Sequence, residues 1–473
     1  MDDGGLIIPF KFHPLNTTHK NNQNKQTKPL SMNNPTTPEV TAISRRKFLR
    51  DTAYTAAGIG AFGILSSKAQ SPQNSKTLKV AVVGCGGRGL GALGPRLGAL
   101  GNFQDAARIL GHNVEVVALC DAFEDNAKQS AEKFRVDPSR CHWGFDSYKK
   151  AAASDAEFVI MATPPNFRPV HFDAMVKAGK HCFVEKPVAV DPVGARAVLA
   201  SGELAKQKGL AAIVGTQRRY DAGYLRNKAK IDAGAIGPIL GGTVTWNSRV
   251  PWVKERQANW SDAEYLVRNW LNFTELSGDH IVEQHIHNLD VANWFIGRTP
   301  QAFLGYGART RRVTGNQFDF FSCDIDYGDG VHIHSMCRQI SGTYMKLGEF
   351  FRGAEGQCNG DGKLSGKEVA FQEPKLESPE SQVQEHVELI KGVLAGKPLN
   401  TIQEGADSTL TAIGARISAY TGQMVRWTDM TENTKSPFYA LQLSPTALDF
   451  ERDSVVMTSE APALPGQPWP TKA

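Results

Sequence analysis

One stretch, Leu78 to Asp121, constrains more of this chain than any other. Its apolar run Val80-Ala81-Val82-Val83 has the length of a buried parallel strand and passes directly into Gly84-Cys85-Gly86-Gly87-Arg88-Gly89, a G-x-G-x-x-G turn. Each glycine has a physical task there: Gly84 makes the tight turn, Gly86 lets the backbone approach a pyrophosphate, and Gly89 permits close packing of helix on strand. Backbone N–H groups of Gly87 and Arg88 at the following helix start would face the phosphates. A second apolar strand, Val114 to Cys120, ends on Asp121, whose carboxylate can accept hydrogen bonds from adenosine ribose hydroxyls. The acid lies further from the glycines than the usual interval of about 20 residues. The glycine-rich pieces at residues 91–101 and at Gly111-His112-Asn113 read as a loop that accounts for the extra length.

With 473 residues the chain has room for two domains and appendages, and its 41% hydrophobic and 21% charged content is that of an ordinary globular protein. A formal net charge of +5, with no long basic run outside the N-terminal segment, gives no reason to expect nucleic acid as a partner. Seven cysteines without a C-x-x-C pair specify neither a disulfide framework nor a zinc ribbon, and the odd count leaves at least one thiol free within a monomer.

Residues 1–43 are polar and rich in Asn, Thr, Lys and Pro, the composition of a disordered leader. Residues 44–69 have the order of an export signal: Ser44-Arg45-Arg46-Lys47-Phe48-Leu49-Arg50, an apolar stretch too short and weak to span a membrane, then the cleavage candidate Ser67-Lys68-Ala69. This predicts twin-arginine export to the periplasm or beyond. From 77 to 215, apolar strand segments alternate with helical patterns, as in a doubly wound parallel sheet. Ligands bind such sheets at the strands' carboxyl ends, where Gly84, Asp121, Thr163 and Pro164, Glu185 and Gln217 all fall. From Gly237 the segments become short, alternating and aromatic, which predicts that residues 216–430 form an α+β domain with a large, mostly antiparallel sheet. It contains a hairpin turn at Tyr327-Gly328-Asp329-Gly330 and a helix over His280–Phe295. Residues 431–473 read as a C-terminal extension, proline-rich at its end.

Two places can do chemistry. Lys186 stands one residue past a strand end, between Glu185 and Pro187, where partial desolvation can bring a lysine toward neutrality. A solvated lysine paired with Glu185 is the plainer use of such a residue. Further on, Asp279-His280 and Glu283-Gln284-His285-Ile286-His287-Asn288-Leu289-Asp290 concentrate three histidines and three acids. On one helix Glu283, His287 and Asp290 share a face. That pattern fits a carboxylate-oriented acid/base histidine, a metal site that could draw on His280 and His285, or a buried structural network, and spacing does not choose among them.

Taken together, strand-GxGxxG, the Asp121 strand end, Thr163-Pro164 followed by His171, Glu185-Lys186-Pro187 and acid-x-x-x-His-x-x-Asp resemble the Gfo/Idh/MocA oxidoreductase family over roughly residues 77–430. The resemblance implies a Rossmann domain for NAD or NADP followed by an open antiparallel α/β domain, with a sugar or polyol between them. It implies that Lys186 contacts the reacting hydroxyl, in many members across a cis Lys-Pro bond, and that His287 is the acid/base partner. Glu283 stands where the family commonly has aspartate. Arg218 and Arg219 match basic residues that hold substrate or cofactor, Asp290 belongs to the same set, and Trp252, in the loop between Trp246 and Trp260, is a candidate to stack on a sugar face. An exported branch of the family carries such a leader and keeps its cofactor bound, and family members commonly form homo-oligomers. Asp121 and the absence of an arginine in Ala122-Phe123 favour NAD over NADP. No metal is expected. Two other readings compete: a glycosidase that uses the nucleotide only transiently, through oxidation and elimination, and a non-catalytic sugar-binding protein on the same fold.

Overall fold

The computed structural model describes residues 75–90 and 98–457. The segments expected as a disordered leader and a twin-arginine signal, and the end of the expected C-terminal extension, lie outside the described residues. Six strands form a wholly parallel sheet: β1 (Thr77–Val83), β2 (Asn113–Asp121), β3 (Cys141–Trp143), β4 (Phe158–Met161), β5 (His181–Val184) and β6 (Ala212–Val214), in the order β3-β2-β1-β4-β5-β6. That order is the doubly wound one, with its switch point at the centre of the sheet.

The two-residue period of β1 divides the packing. Leu78, Val80 and Val82 face one layer, shared with Phe103 of the helix Ala99–Ile109, while Ala81 and Val83 face Phe172, Met175 and Val176 of the helix Arg168–Lys177. Of the pieces expected as a loop after the glycines, residues 91–97 lie outside the described residues and residues 99–101 instead open this helix, because Leu100, Phe103, Ala106 and Ala107 form an apolar stripe that the sheet buries. The first layer is completed by a helix from far along the chain, Ser381–Leu394, which contributes Val383, Val387, Leu389 and Ile390.

The second sheet has eight strands: β7 (Ile239–Ser248), β8 (Ala302–Ala308), β9 (Phe320–Asp326), β10 (His332–Gln339), β11 (Lys346–Gly353), β12 (Gln357–Cys358), β13 (Leu364–Ser365) and β14 (Val425–Arg426). Their order is β13-β12-β11-β7-β10-β9-β8-β14. Only β7 and β10 run parallel; every other pair is antiparallel. The predicted hairpin joins β9 to β10, closed by Tyr327 N–H to Val331 O at 2.9 Å. One face of this sheet buries Phe321, Ile325, Ile333 and Phe351 against the helices Ile286–Ile296 and Ile402–Thr421.

The helix expected over His280–Phe295 is divided into His280–Glu283 and Ile286–Ile296. The carbonyl of His280 accepts from both Gln284 N–H (3.0 Å) and His285 N–H (3.1 Å), a local widening of the ladder of the kind often found at functional sites. All seven cysteines are buried and unpaired. Among the described residues no helix is long and apolar enough to cross a membrane.

Candidate active site

The first turn separates its glycines by the space around them. Gly84 has φ of +96°, and a Cβ there would stand 2.6 Å from the carbonyl carbon of Ala162. A Cβ on Gly89 would meet the Gly84 oxygen at 2.0 Å, whereas at Gly86 and Gly87 nothing lies within 4 Å. The open room is therefore over the second and third glycines, where a pyrophosphate needs it. Asp121, 8% exposed, closes this end. Its Oδ2 accepts from Cys85 N–H (2.7 Å), and its Oδ1 from Phe123 N–H (2.9 Å) and Asn126 Nδ2 (3.1 Å). Burial pushes its pKa up, and those donors oppose the shift. The carboxylate thus ties the glycine turn to the end of β2.

Thr163 and Pro164 follow β4, with Thr163 Oγ1 3.4 Å from His171 Nδ1, and Gln217 opens the short turn after β6. His171 is stacked on Tyr148 at 4.2 Å, and burial, then the nearby Arg168, bring its pKa down to about 3. The open glycine cradle and the acid at the end of β2 fit an NAD(P) group. The expectation for Arg88 concerns its backbone N–H alone. Its guanidinium pairs with Glu185 and reaches Glu385 Oε1 at 3.5 Å, so it holds two buried carboxylates rather than standing free for a phosphate.

Beyond β5 the peptide Lys186–Pro187 is cis. Lys186 Nζ donates to the backbone oxygen of Glu283 (2.6 Å) and to its Oε1 (2.8 Å), so a strand-end lysine of the first sheet meets the one-turn helix of the second domain. His287 is half-buried, its ring 5.7 Å from that of Trp246 and inclined by 26°. Burial, and then the charges of Lys186, Arg218 and Arg88, hold its pKa well below the usual histidine value, because both disfavour the protonated ring. Arg218 lies 5.9 Å from the same indole and pairs with Glu349, which also accepts from Asn288 Nδ2 (2.6 Å) and Tyr224 hydroxyl (3.1 Å).

Other expected residues fall elsewhere. Asp290, 1% exposed, accepts from Arg219 Nε and Nη2 (3.0 and 2.9 Å) and from Ser408 Oγ (2.7 Å), so the pair is a buried tie and the carboxylate has no surface to offer a sugar. Trp252 is 47% exposed with Lys254 above its ring; the aromatic brought to His287 is Trp246. His280 and His285 do not converge with Glu283 on a site, being held by Asp279 (2.9 Å) and Ser335 (2.8 Å) inside the second domain. Sequence reasoning missed Arg168, which is buried beneath the active turn and donates to the Pro187 carbonyl, although it lies in the same segment as Thr163 and His171. It also missed Glu349. An acid two residues before Phe351, on the same face of β11, was the available signal.

Residues 78–216 match the model of the Gfo/Idh/MocA group, described as an oxidoreductase family with an NAD-binding Rossmann fold. Over 216 residues the chain is 28% identical to scyllo-inositol 2-dehydrogenase (NAD(+)) of Bacillus subtilis, covering 45% of this chain and 54% of that one. Over 256 residues it is 27% identical to the NADP(+) enzyme IolW of the same organism, covering 53% and 60%. The chain thus spans less than two thirds of the length of these relatives. Among solved structures, aldose-aldose oxidoreductase from Caulobacter crescentus superposes with a TM-score of 0.57 at 17% identity, covering 74% of this chain and 99% of that one. Scyllo-inositol dehydrogenase from Lactobacillus casei superposes at 0.55 and 17%, covering 75% and 99%. These likenesses show the fold.

Proposed function

We propose that this chain is an NAD(P)-dependent dehydrogenase of the Gfo/Idh/MocA type that oxidises a secondary hydroxyl of a sugar, glycoside or polyol to a ketone. The observation that carries the reading is the meeting of Lys186 with Glu283 beside a neutral His287, at the strand edge that also holds the open glycine cradle. The inositol dehydrogenase names of the partial relatives support a polyol.

In this reading Gly84, Gly86 and Gly89 with Asp121 hold the dinucleotide, whose nicotinamide supplies the hydride-accepting carbon when bound. Lys186 donates to the reacting hydroxyl oxygen and fixes it, while Glu283 holds the ammonium in place through two hydrogen bonds. His287 takes the hydroxyl proton as hydride leaves the carbon; the burial and positive charges that lower its pKa make it a weak base, so this transfer belongs with the hydride step and does not precede it. The indole of Trp246 offers an apolar platform beneath. Asp121 disfavours a 2′-phosphate, which supports NAD over NADP. Arg45-Arg46 and the apolar stretch after them support twin-arginine export, and the open second-sheet face with Tyr306 64% exposed supports a homo-oligomer.

The test is reduction of added NAD by a panel of inositols, sugars and glycosides. With an active substrate, Lys186→Met should lower the rate about 100- to 10,000-fold while nucleotide still binds. A Lys186→Met protein as fast as wild type would remove Lys186 from the chemistry. Glycoside cleavage without net reduction would assign the transient-oxidation route instead.

A further inference from the structure

Three loops at the carboxyl edge of the parallel sheet each carry a phenylalanine: Phe123 after β2, Phe145 after β3 and Phe167 after β4. Phe145 stacks on Phe167 at 6.1 Å, both meet Phe450 (5.2 and 5.1 Å), and Phe123 meets Phe145 at 6.3 Å. Phe450 comes from the C-terminal extension, and Leu266, Phe273 and Leu276, which pack on the same cluster, come from the segment that precedes the divided helix. Three distant parts of the chain therefore build one satellite core on the loops of the first sheet.

Polar contacts fix this cover. The Arg268 guanidinium lies 4.0 Å over the Phe123 ring, donates to both carboxylate oxygens of Asp125 (3.1 and 3.0 Å) and is held at Nε by Glu264 (2.8 Å). Glu451 accepts from the Tyr148 hydroxyl (3.0 Å) and Lys149 Nζ (2.7 Å), and Met457 N–H donates to Asp262 (2.9 Å). Phe123 is two residues past Asp121, which accepts its N–H, so the ribose acid and the ring beneath Arg268 belong to one turn. A dinucleotide with its pyrophosphate on the glycine turn and its ribose at Asp121 lays its adenosine end along this edge.

Resting on the nucleotide reading above, we propose that Arg268, set on Phe123 and Asp125, and the clasp at residues 447–457 form the outer wall of the adenosine subsite. Nucleotide then leaves only when this wall opens. Asp125 ties Arg268 to the loop after β2 in the absence of ligand, and Glu264, on the guanidinium's own helix, leaves it no surplus positive charge.

The test uses the full chain loaded with radiolabelled NAD, freed of unbound nucleotide and chased with excess unlabelled NAD. Release from Arg268→Gln and, separately, from Glu451→Gln should be at least about tenfold faster than from wild type. Circular dichroism checks that each variant is folded, and the two sites lie on different segments, so one misfolded variant leaves the other informative. Equal release rates from folded, nucleotide-binding proteins would overturn the wall alone. Failure of wild type to bind NAD at all would overturn it together with the nucleotide reading.

Discussion

An added methyl group tells the glycines of the first turn apart. Gly89→Ala drives a Cβ to 2.0 Å from the Gly84 oxygen, and we expect it to destabilise the fold by ~3 kcal/mol, read as a lower urea midpoint. Gly86→Ala meets no atom within 4 Å, so stability should change by less than ~1 kcal/mol while NAD affinity falls at least about tenfold. If both variants were equally unstable, the open room over Gly86 would not be a ligand cradle. His171 gives the pH dependence. The folded ring, with its pKa near 3, refuses a proton that the unfolded chain takes up below pH ~6.5, so stability contributed by this residue is lost as pH falls through that window. Between pH 8 and 5, His171→Gln should lose ~2 kcal/mol less than wild type in urea titrations; equal losses would show the ring already charged. The places of Gly84, Asp121, Lys186 and His287 were legible because they follow from residue type and position along strand or helix. Trp246, Arg168 and Glu349 were not, because each acts through a neighbour distant in sequence: His287, Pro187 and Arg218.

Elements whose apolar period was complete were legible, and those whose partners lie far off were not. β1, β2 and β4 carry apolar runs long enough to be read alone, but β3 has three residues and is a strand only because β2 lies beside it. The divided helix shows the same limit. Nothing between Gln284 and Ile286 is a helix breaker, and the widening comes from hydrogen bonds shared at the His280 carbonyl, while His285 is drawn to Ser335 on β10. The helix Ser381–Leu394 presents Val383, Val387 and Ile390 to the first layer, and its place there is a matter of topology. We therefore expect Ile390→Ala, at a fully buried position, to cost about 2–5 kcal/mol and to weaken hydrogen-exchange protection in β1 as well as in its own helix. Protection lost in the helix alone would mean that the first layer is stable without it.

At the scale of the whole molecule, the two sheets are joined where function needs them to be. Lys186–Glu283, Arg218–Glu349 and Arg219–Asp290 each link the carboxyl edge of the first sheet to an element of the second domain, and all six side chains are mostly buried. Reading the parallel sheet and the mostly antiparallel one from the change of period near residue 237 was possible because alternation and apolar runs are local properties. The ion pairs that join them are not local, which is why Arg219 and Asp290 were expected at a substrate and instead hold each other. The most direct measurement is mass and absorbance analysis of the small molecule released when the purified protein is denatured, before and after soaking with polyols and sugars. The account predicts NAD before soaking and NADH after exposure to one class of hydroxyl compound. A protein that releases no nucleotide and takes up none when it is supplied would contradict the reading of Gly84 to Asp121 on which the rest depends.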